Sequence, residues 1–308
     1  MRALLLFNPH ATATDDRVRE VIASALSATL DLDVQATKQR GHATHIAAGA
    51  VHEGVDVVFA LGGDGTANEV IQGLAGSPVV LGVIPGGGAN VFARALGLPN
   101  DAVGATSILL DELRRGRTRT ITLGQAGERY FGFNAGFGFD AAVVRHVEQR
   151  AGLKRSLRQL AFVWSTTREW VAGEQRHAPA VTVGLADGRT AGPFAITIVA
   201  NADPYTYLGS RPMHVHPQAD FAAGLDVLAI RAVGTATLLS IVSRVFRDGS
   251  HVDAPDVRYL HDLDQFTLSA TTPQPLMVDG DYAGEHHEVR FTAVRDALRV
   301  LAAPTSEA

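Results

Sequence analysis

Over the first 120 residues, short apolar runs alternate with longer stretches in which apolar residues recur every three or four positions. Ala3 to Phe7 reads as a strand and Asp15 to Leu30 as a helix with one apolar face. Asp31 to Ala36 reads as a weaker strand, His42 to His52 as a helix. Val55 to Leu61 is apolar but for Asp56 and stops at Gly62-Gly63, the pattern of a strand buried on both faces. Thr66 to Leu74 predicts a helix, Val79 to Ile84 a second buried strand, and Ala89 to Leu96 and Ala102 to Arg114 two further helices. This rhythm implies a parallel sheet with helices on both sides.

The pattern changes near Arg117. Thr118 to Leu123, Tyr130 to Asn134, Ala180 to Ala186, Phe194 to Ala200, Leu225 to Ile230, Gln265 to Ala270, Leu276 to Val278 and Glu288 to Thr292 read as strands between Gly, Pro and Asp turns. Such a series predicts an antiparallel sandwich or barrel. Helices over Leu153 to Val171 and Ala236 to Arg247 interrupt it. The boundary between the halves falls between Arg117 and Tyr130.

Composition narrows the chemistry. The chain has 308 residues, 46% hydrophobic and 19% charged, enough for a sizeable core in each of two domains. A net charge of −5 argues against nucleic acid as partner, since phosphate binding by counterion release needs a strongly basic face. With no cysteine, disulfides, thiolate metal sites and cysteine nucleophiles are excluded, and a reducing cytoplasm suits the chain. Leu4 to Phe7 is too short for a signal h-region, and no apolar run reaches the ~18 residues of a membrane span. Lys38 and Lys154 are the only lysines, and neither follows a GxxxxG loop, so there is no Walker A motif.

Two glycine-rich segments each follow a buried strand and open a helix: Gly62-Gly63-Asp64-Gly65-Thr66 and Pro85-Gly86-Gly87-Gly88-Ala89-Asn90. In an open parallel sheet the C-terminal strand ends line the ligand crevice, so both loops should meet on one rim. Glycines admit a ligand close to the backbone, and the following helix N-terminus adds partial positive charge. A phosphate site therefore needs no lysine, with Gly62, Gly63, Gly65, Thr66, Gly87 and Gly88 as its cradle. Asp64 would repel phosphates unless a divalent cation lay between, which makes it the candidate Mg²⁺ contact of a Mg²⁺–ATP site. The plainer reading is two tight strand-to-helix turns.

GGDGT followed by Asn68-Glu69 resembles the signature of the diacylglycerol, sphingosine and ceramide kinases; NAD kinases share only GGDGT. Asn8-Pro9 resembles the family's NP turn near the nucleotide, and Thr37 with Gly41-His42-Ala43 its T…GHA segment. PGGGANVFAR (Pro85 to Arg94) with Ala95 to Pro99 resembles PxGxxNxFAR-xLGxP. FNAGFGFDA (Phe133 to Ala141) resembles NxxGxGxDA, and MVDGDY (Met277 to Tyr282) the late DG[ED] motif. The matches run in family order from Phe7 to Tyr282, so the chain resembles the diacylglycerol kinase catalytic-domain family over nearly its whole length.

That resemblance implies an α/β N-terminal domain with a parallel Rossmann-like sheet of the NAD kinase/diacylglycerol kinase type. A mainly antiparallel β-sandwich follows and completes the lipid site. The expected domains are residues 1–124, with 289–308 returning to the first domain, and residues 125–288. It implies ATP and Mg²⁺ as cofactors, with Asn8, Pro9, Thr37, His42, Asn68, Glu69 and Asn90 joining the glycine loops around the nucleotide. Asp281, the acidic residue of DG[ED], becomes the catalytic base and Asp64 its partner in the metal arrangement. Asp279-Gly280-Asp281 also suits a plain hairpin turn. The implied activity is transfer of the γ-phosphoryl group of ATP to the hydroxyl of diacylglycerol or a similar lipid. A sphingosine or other long-chain alcohol kinase is the alternative, as is a catalytically weakened nucleotide- or lipid-binding member. Three positions depart from the family: Thr122 stands where many relatives carry Asp, Val91 where some carry Asp, and Ala222-Ala223 where acidic residues are common.

The remaining features are weaker. His214 and His216 share a strand face but lack an evident third metal ligand. Leu153 to Val171 carries Lys154, Arg155, Arg158 and Arg168 with Phe162, Trp164 and Trp170, a composition suited either to anionic lipid or to packing on its own domain. The expected setting is the cytoplasm with peripheral contact at the inner membrane face. No signal sets an oligomeric state.

Overall fold

The computed structural model describes residues 1–9, 15–138, 180–231, 234–247 and 249–304. The chain forms two compact units, Met1–Leu123 with Arg295–Ala308, and Gly124–Val294.

In the first unit, β1 (Arg2–Phe7), β2 (Asp31–Ala36), β3 (Val57–Gly62) and β4 (Val80–Pro85) form a parallel sheet in the order β2-β1-β3-β4. Every residue of β3 and β4 is buried, as their unbroken apolar runs require of central strands covered on both faces. The helices are α1 (Asp16–Ser27), α2 (His42–His52), α3 (Asp64–Leu74), α4 (Val91–Ala95) and α5 (Ala102–Arg114). α1 packs with α5, and α2 with α3. A side chain at Gly73 would place Cβ 2.6 Å from the Thr44 carbonyl oxygen, so glycine is what lets α3 lie this close to α2. Arg299 and Val300 add to the sheet beside β4, in parallel.

The second unit is antiparallel and begins with β5 (Arg119–Ala126), which crosses the unit boundary, β6 (Arg129–Phe131) and β7 (Asn134–Gly138). β8 (Val181–Leu185), β9 (Thr190–Phe194) and β10 (Ile196–Ala200) follow, then β11 (Thr206–Leu208), β12 (Arg211–Met213) and β13 (Leu225–Ile230). After α6 (Thr235–Arg247) come β14 (Val257–Leu263), β15 (Gln265–Val278) and β16 (Asp281–Val300). The first half of β15 pairs with β8 and its second half with β7, so one long strand leads two lines of strands. Phe131, Phe137, Phe194, Phe266 and Phe291 meet in the core between those lines. Phe266 and Phe291 stack with centroids 5.1 Å apart, and Phe131 meets Phe291 edge-on at 6.3 Å. A second apolar cluster joins Ile196, Leu228 and Ile230 of β10 and β13 to Ile241 and Val245 of α6. β13 is thus buried on both faces; its run is apolar but for the buried Asp226, whose carboxylate meets His261 and the Asp262 N–H.

The fold class is the expected one, with differences in detail. Gln265 to Ala270 and Leu276 to Val278 belong to one strand with register shifts at the bulge, not two. The Tyr130–Asn134 strand divides into β6 and β7 because Gly132 and Phe133 turn toward a buried carboxylate described below. β14 was not foreseen, since Val257–Leu263 shows no clean alternation. The return to the first unit begins at Arg295, not Val289, because β16 pairs with β15 as far as Thr292. The expected helix over Leu153 to Val171 lies outside the described residues. Among the described residues, no helix is long and apolar enough to cross a membrane.

His216 is fully buried and donates Nε2–H to the Ile198 carbonyl at 3.2 Å, while its Nδ1 lacks a hydrogen-bond partner. Burial depresses its pKa to about 3. Above about 6.5 the ring is neutral in both folded and unfolded chains; below that only the unfolded chain gains a proton, until about 3. His216 therefore favours folding fully above about pH 6.5, and this advantage falls as pH drops toward 3 by up to about 1.4 kcal/mol per pH unit. Urea unfolding from pH 7 to pH 4 should show a shallower loss of stability in His216→Gln than in the wild type.

Candidate active site

The glycine loops follow β3 and β4, adjacent parallel strands, and they touch through backbone. Gly86 N–H donates to the Gly62 carbonyl at 2.7 Å. A Cβ on Gly87 would lie 2.7 Å from Gly63 Cα, and one on Gly86 would lie 3.1 Å from Gly62 Cα. Neither approach leaves room for a side chain. Gly65 and Gly88 are the opposite case: both are exposed, and a Cβ there would meet nothing within 4 Å. The loops are therefore closed toward each other and open outward, the shape a ligand held by backbone requires. α3 starts at this rim with Gly63 as an N-cap that makes no side-chain hydrogen bond, and with Asp64 as the acidic residue of its first turn.

Several motif residues hold this shape from behind. Asp64 Oδ1 accepts the Phe92 N–H at 3.0 Å, with the Asn90 and Val91 amides also acting on the carboxylate. Burial pushes its carboxyl above the usual aspartate range, and those amides pull the other way. Asn90 sits at φ 48° and clasps Gly87 twice: its Oδ1 accepts the Gly87 N–H and its Nδ2 donates to the Gly87 carbonyl, each at 2.9 Å. Its Nδ2 also donates to Asn100 Oδ1 at 2.6 Å. Glu69 reaches away from the loops, its carboxylate accepting from Gly41 N at 2.8 Å and Ala43 N at 3.1 Å, so it caps α2. Asn68 is buried at 2% exposure.

Asp64, Asn90 and Glu69 thus have a fastening role that the sequence alone did not show. Their polar groups are engaged within the protein, because loops this tight must be fastened by side chains. Asp64, the expected Mg²⁺ contact, also ties the first loop to the start of α4 through its Oδ1. No group of three metal-binding side chains gathers among the described residues. Asn8 and Thr37 directly follow the C-terminal ends of β1 and β2. Asn8 N–H donates to the Leu61 carbonyl at 3.3 Å and Thr37 N–H to Phe7 at 2.8 Å. His42 opens α2, its Nδ1 accepting the Lys38 N–H at 3.1 Å, and Pro9 is exposed.

In the second unit, the DGD segment is the hairpin turn between β15 and β16. Asp279 (φ 48°) and Gly280 (φ 83°) are both left-handed, which suits a two-residue turn. Asp279 is 5% exposed and accepts three amides, Gly132 at 2.7 Å, Phe133 at 3.0 Å and Asn134 at 3.1 Å. Asn134 Nδ2 in turn donates to the Tyr205 carbonyl at 3.0 Å. Asp281, at the start of β16, pairs with Arg129 at 2.9 Å and stays partly exposed. Sequence reading missed both the anchoring role of Asp279 and the presence of Arg129. The turn's DxD spacing was the available signal for the first; nothing local marks the second, 152 positions away. Asp140 and Ala141 of the same motif lie outside the described residues.

Adding a methyl group distinguishes the closed from the open glycines. Gly87→Ala should lower stability by about 1–3 kcal/mol, because the group it meets is rigid backbone. Gly65→Ala, in the first turn of α3 with open space around it, should raise stability by up to about 1 kcal/mol. Urea midpoints of the two variants check the contrast.

Comparison with known proteins agrees with this geometry. Residues 2–126 match the Diacylglycerol kinase catalytic domain, and residues 134–302 match the YegS C-terminal NAD kinase beta sandwich-like domain. Diacylglycerol kinases of Staphylococcus aureus are 38% identical over 136 residues, 42% of this chain and 41% of theirs. The match thus spans less than half the length of these curated relatives. The crystal structure of a diacylglycerol kinase from Bacillus anthracis superposes with TM-score 0.72 at 18% identity, covering 98% of this chain and 97% of that one. An NAD kinase from Archaeoglobus fulgidus in complex with ATP superposes with TM-score 0.53 at 14% identity, over 98% and 94%. At these identities the structures speak for the fold alone. With both domain matches in sequence order and an α/β unit followed by an antiparallel one, the chain belongs to the diacylglycerol kinase catalytic-domain family, in the form that carries a YegS-type C-terminal β-sandwich.

Proposed function

We propose that this protein is an ATP-dependent lipid kinase that transfers the γ-phosphoryl group to the hydroxyl of diacylglycerol or a similar lipid. The observation that carries this reading is the pair of glycine loops, fastened from behind by Asp64 and Asn90 and open at Gly65 and Gly88. The outward backbone and the start of α3, whose N-cap makes no side-chain hydrogen bond, suit a polyphosphate in a chain without a P-loop lysine. Thr66 and the amides of the first turn of α3 would hold the phosphates.

In the transfer, the lipid hydroxyl oxygen forms a bond to the γ-phosphorus as the bond to the departing ADP oxygen breaks. The hydroxyl proton passes to the Asp281 carboxylate. Arg129, bonded to Asp281 Oδ2, orients that carboxylate, and Asp279 holds the turn on which it stands. Mg²⁺ on the nucleotide would spread the phosphate charge; among the described residues no group of three metal-binding side chains gathers to cage an ion. Positioning and electrostatics do most of such a reaction, and a well-placed base adds about 10²–10⁴-fold.

A second reading, a family member that binds but transfers weakly, is favoured by Thr122: it is 3% exposed and uncharged where many relatives carry Asp. Labelled γ-phosphate transfer from Mg²⁺–ATP into diacylglycerol, monoacylglycerol, sphingosine, ceramide and phosphatidylglycerol in mixed micelles separates the two. Label in a glycerolipid, reduced about 10²-fold or more in Asp281→Asn, is the expected result. Label in sphingosine instead would reassign the acceptor, and ATP binding without any labelled lipid would favour the weak-transfer reading. Gly65→Ala should weaken ATP binding in titration calorimetry although it does not destabilise the fold, since its methyl group occupies the open side of the cradle.

A further inference from the structure

Seven large apolar side chains are exposed among the described residues, and three of them, Leu239, Val242 and Phe246, fall within eight positions of α6. The other four, Met1, Val21, Val34 and Val103, are scattered one to an element or terminus, as is ordinary for a surface. Leu239, Val242 and Phe246 are spaced i, i+3, i+7 and so form one line along the helix. Ile241 and Val245, at 3% and 7% exposure, fasten the adjoining face to the cluster built on β10 and β13. The helix therefore carries more apolar surface than its own unit covers, and the surplus faces outward: Leu239 is 63% exposed and Phe246 41%.

The polar residues of α6 restrict what can cover that line. The helix contains no Asp or Glu, while Arg244 and Arg247 occupy its last turn and Ser240 and Ser243 lie beside the apolar line. The nearest acidic residue in sequence is Asp248, directly after Arg247; Asp253 ends the short 3-10 helix Ser250–Asp253, and Asp256 follows it. An apolar line flanked by arginines whose stems can lie along a surface is the signature of a helix at a lipid–water boundary, where anionic headgroups attract the guanidinium groups. A second copy of the chain fits less well: three partly exposed side chains fall far short of the ~800 Å² per partner that a standard interface covers.

We infer that α6 is a lipid-surface docking element, with Leu239, Val242 and Phe246 entering the headgroup region of an anionic bilayer and Arg244 and Arg247 meeting its phosphates. This rests on the lipid-kinase reading for its purpose but not for its test. The test is co-sedimentation of the full chain with vesicles of phosphatidylcholine alone and of phosphatidylcholine with about a third phosphatidylglycerol, at low and high salt. Wild type should partition onto the anionic vesicles and be released by salt. Leu239→Ser with Phe246→Ser should lower partitioning about 10-fold or more. Arg244→Gln with Arg247→Gln should lower it and weaken its salt dependence. Phosphorylation of a short-chain, water-soluble diacylglycerol should be unchanged in both double variants.

The inference is overturned if wild type ignores anionic vesicles, or if both variants partition as wild type does. It is also overturned if the apolar line instead drives self-association that Leu239→Ser with Phe246→Ser abolishes. Vesicle binding lost in the variants while no lipid is phosphorylated by wild type would sink the kinase reading and leave the docking element standing. Normal phosphorylation with unaltered vesicle binding in the variants would do the reverse.

Discussion

The arrangement of the nucleotide-site candidate depends on one contact, the backbone approach of Gly62 and Gly63 to Gly86 and Gly87. Two strand-to-helix turns on neighbouring parallel strands touch this closely because the second carries no Cβ: one on Gly87 would lie 2.7 Å from Gly63 Cα, and one on Gly86 3.1 Å from Gly62 Cα. Removing side chains gives closeness but also freedom, because glycine has more conformations to lose on ordering than other residues. The structure offsets this with polar ties from behind. Asp64 links the first loop to the amides at the start of α4, and Asn90 holds both polar groups of Gly87. A carboxylate in such a place is costly to desolvate, which is why its pKa moves up, and the amides around it compensate in part.

The second unit uses the same device for another end. Two carboxylates stand two residues apart in one hairpin, and their surroundings give them different work. Asp279 is buried and takes three amides from the segment between β6 and β7, fixing the turn against the sheet. Asp281 remains partly exposed with a guanidinium as partner, so it is oriented yet reachable. A buried, fully bonded carboxylate is a poor proton acceptor for a substrate, whereas a partly exposed one held in a fixed direction is a suitable one. The proposed division of labour follows from burial and partners alone.

Much of the fold was legible because burial leaves its mark on sequence. Val57–Gly62 and Val80–Pro85 are apolar throughout because parallel central strands have no wet face. The glycine loops were legible because only glycine permits their contact. β14 was not, since its faces are mixed and its partner β13 supplies the regularity. Nor could periodicity show that Gln265–Val278 is one strand, because its Thr271–Gln274 stretch bends at a bulge that pairing with β16 maintains.

The sequence by itself determined the order of the elements, the α/β unit followed by an antiparallel one, and the two loops whose glycines expose their backbone. Those properties are local: they follow from apolar spacing, from glycine and from turn chemistry within a few residues. Tertiary structure decided what each polar motif residue does. Glu69 proved to cap α2 across 26 to 28 positions, Asp64 to bind amides 28 positions away, and Asp281 to meet Arg129 across 152. A carboxylate has the same four lone-pair sites wherever it stands in a sequence. Which donors fill them is settled only when the chain has brought distant amides and guanidinium groups within about 3 Å.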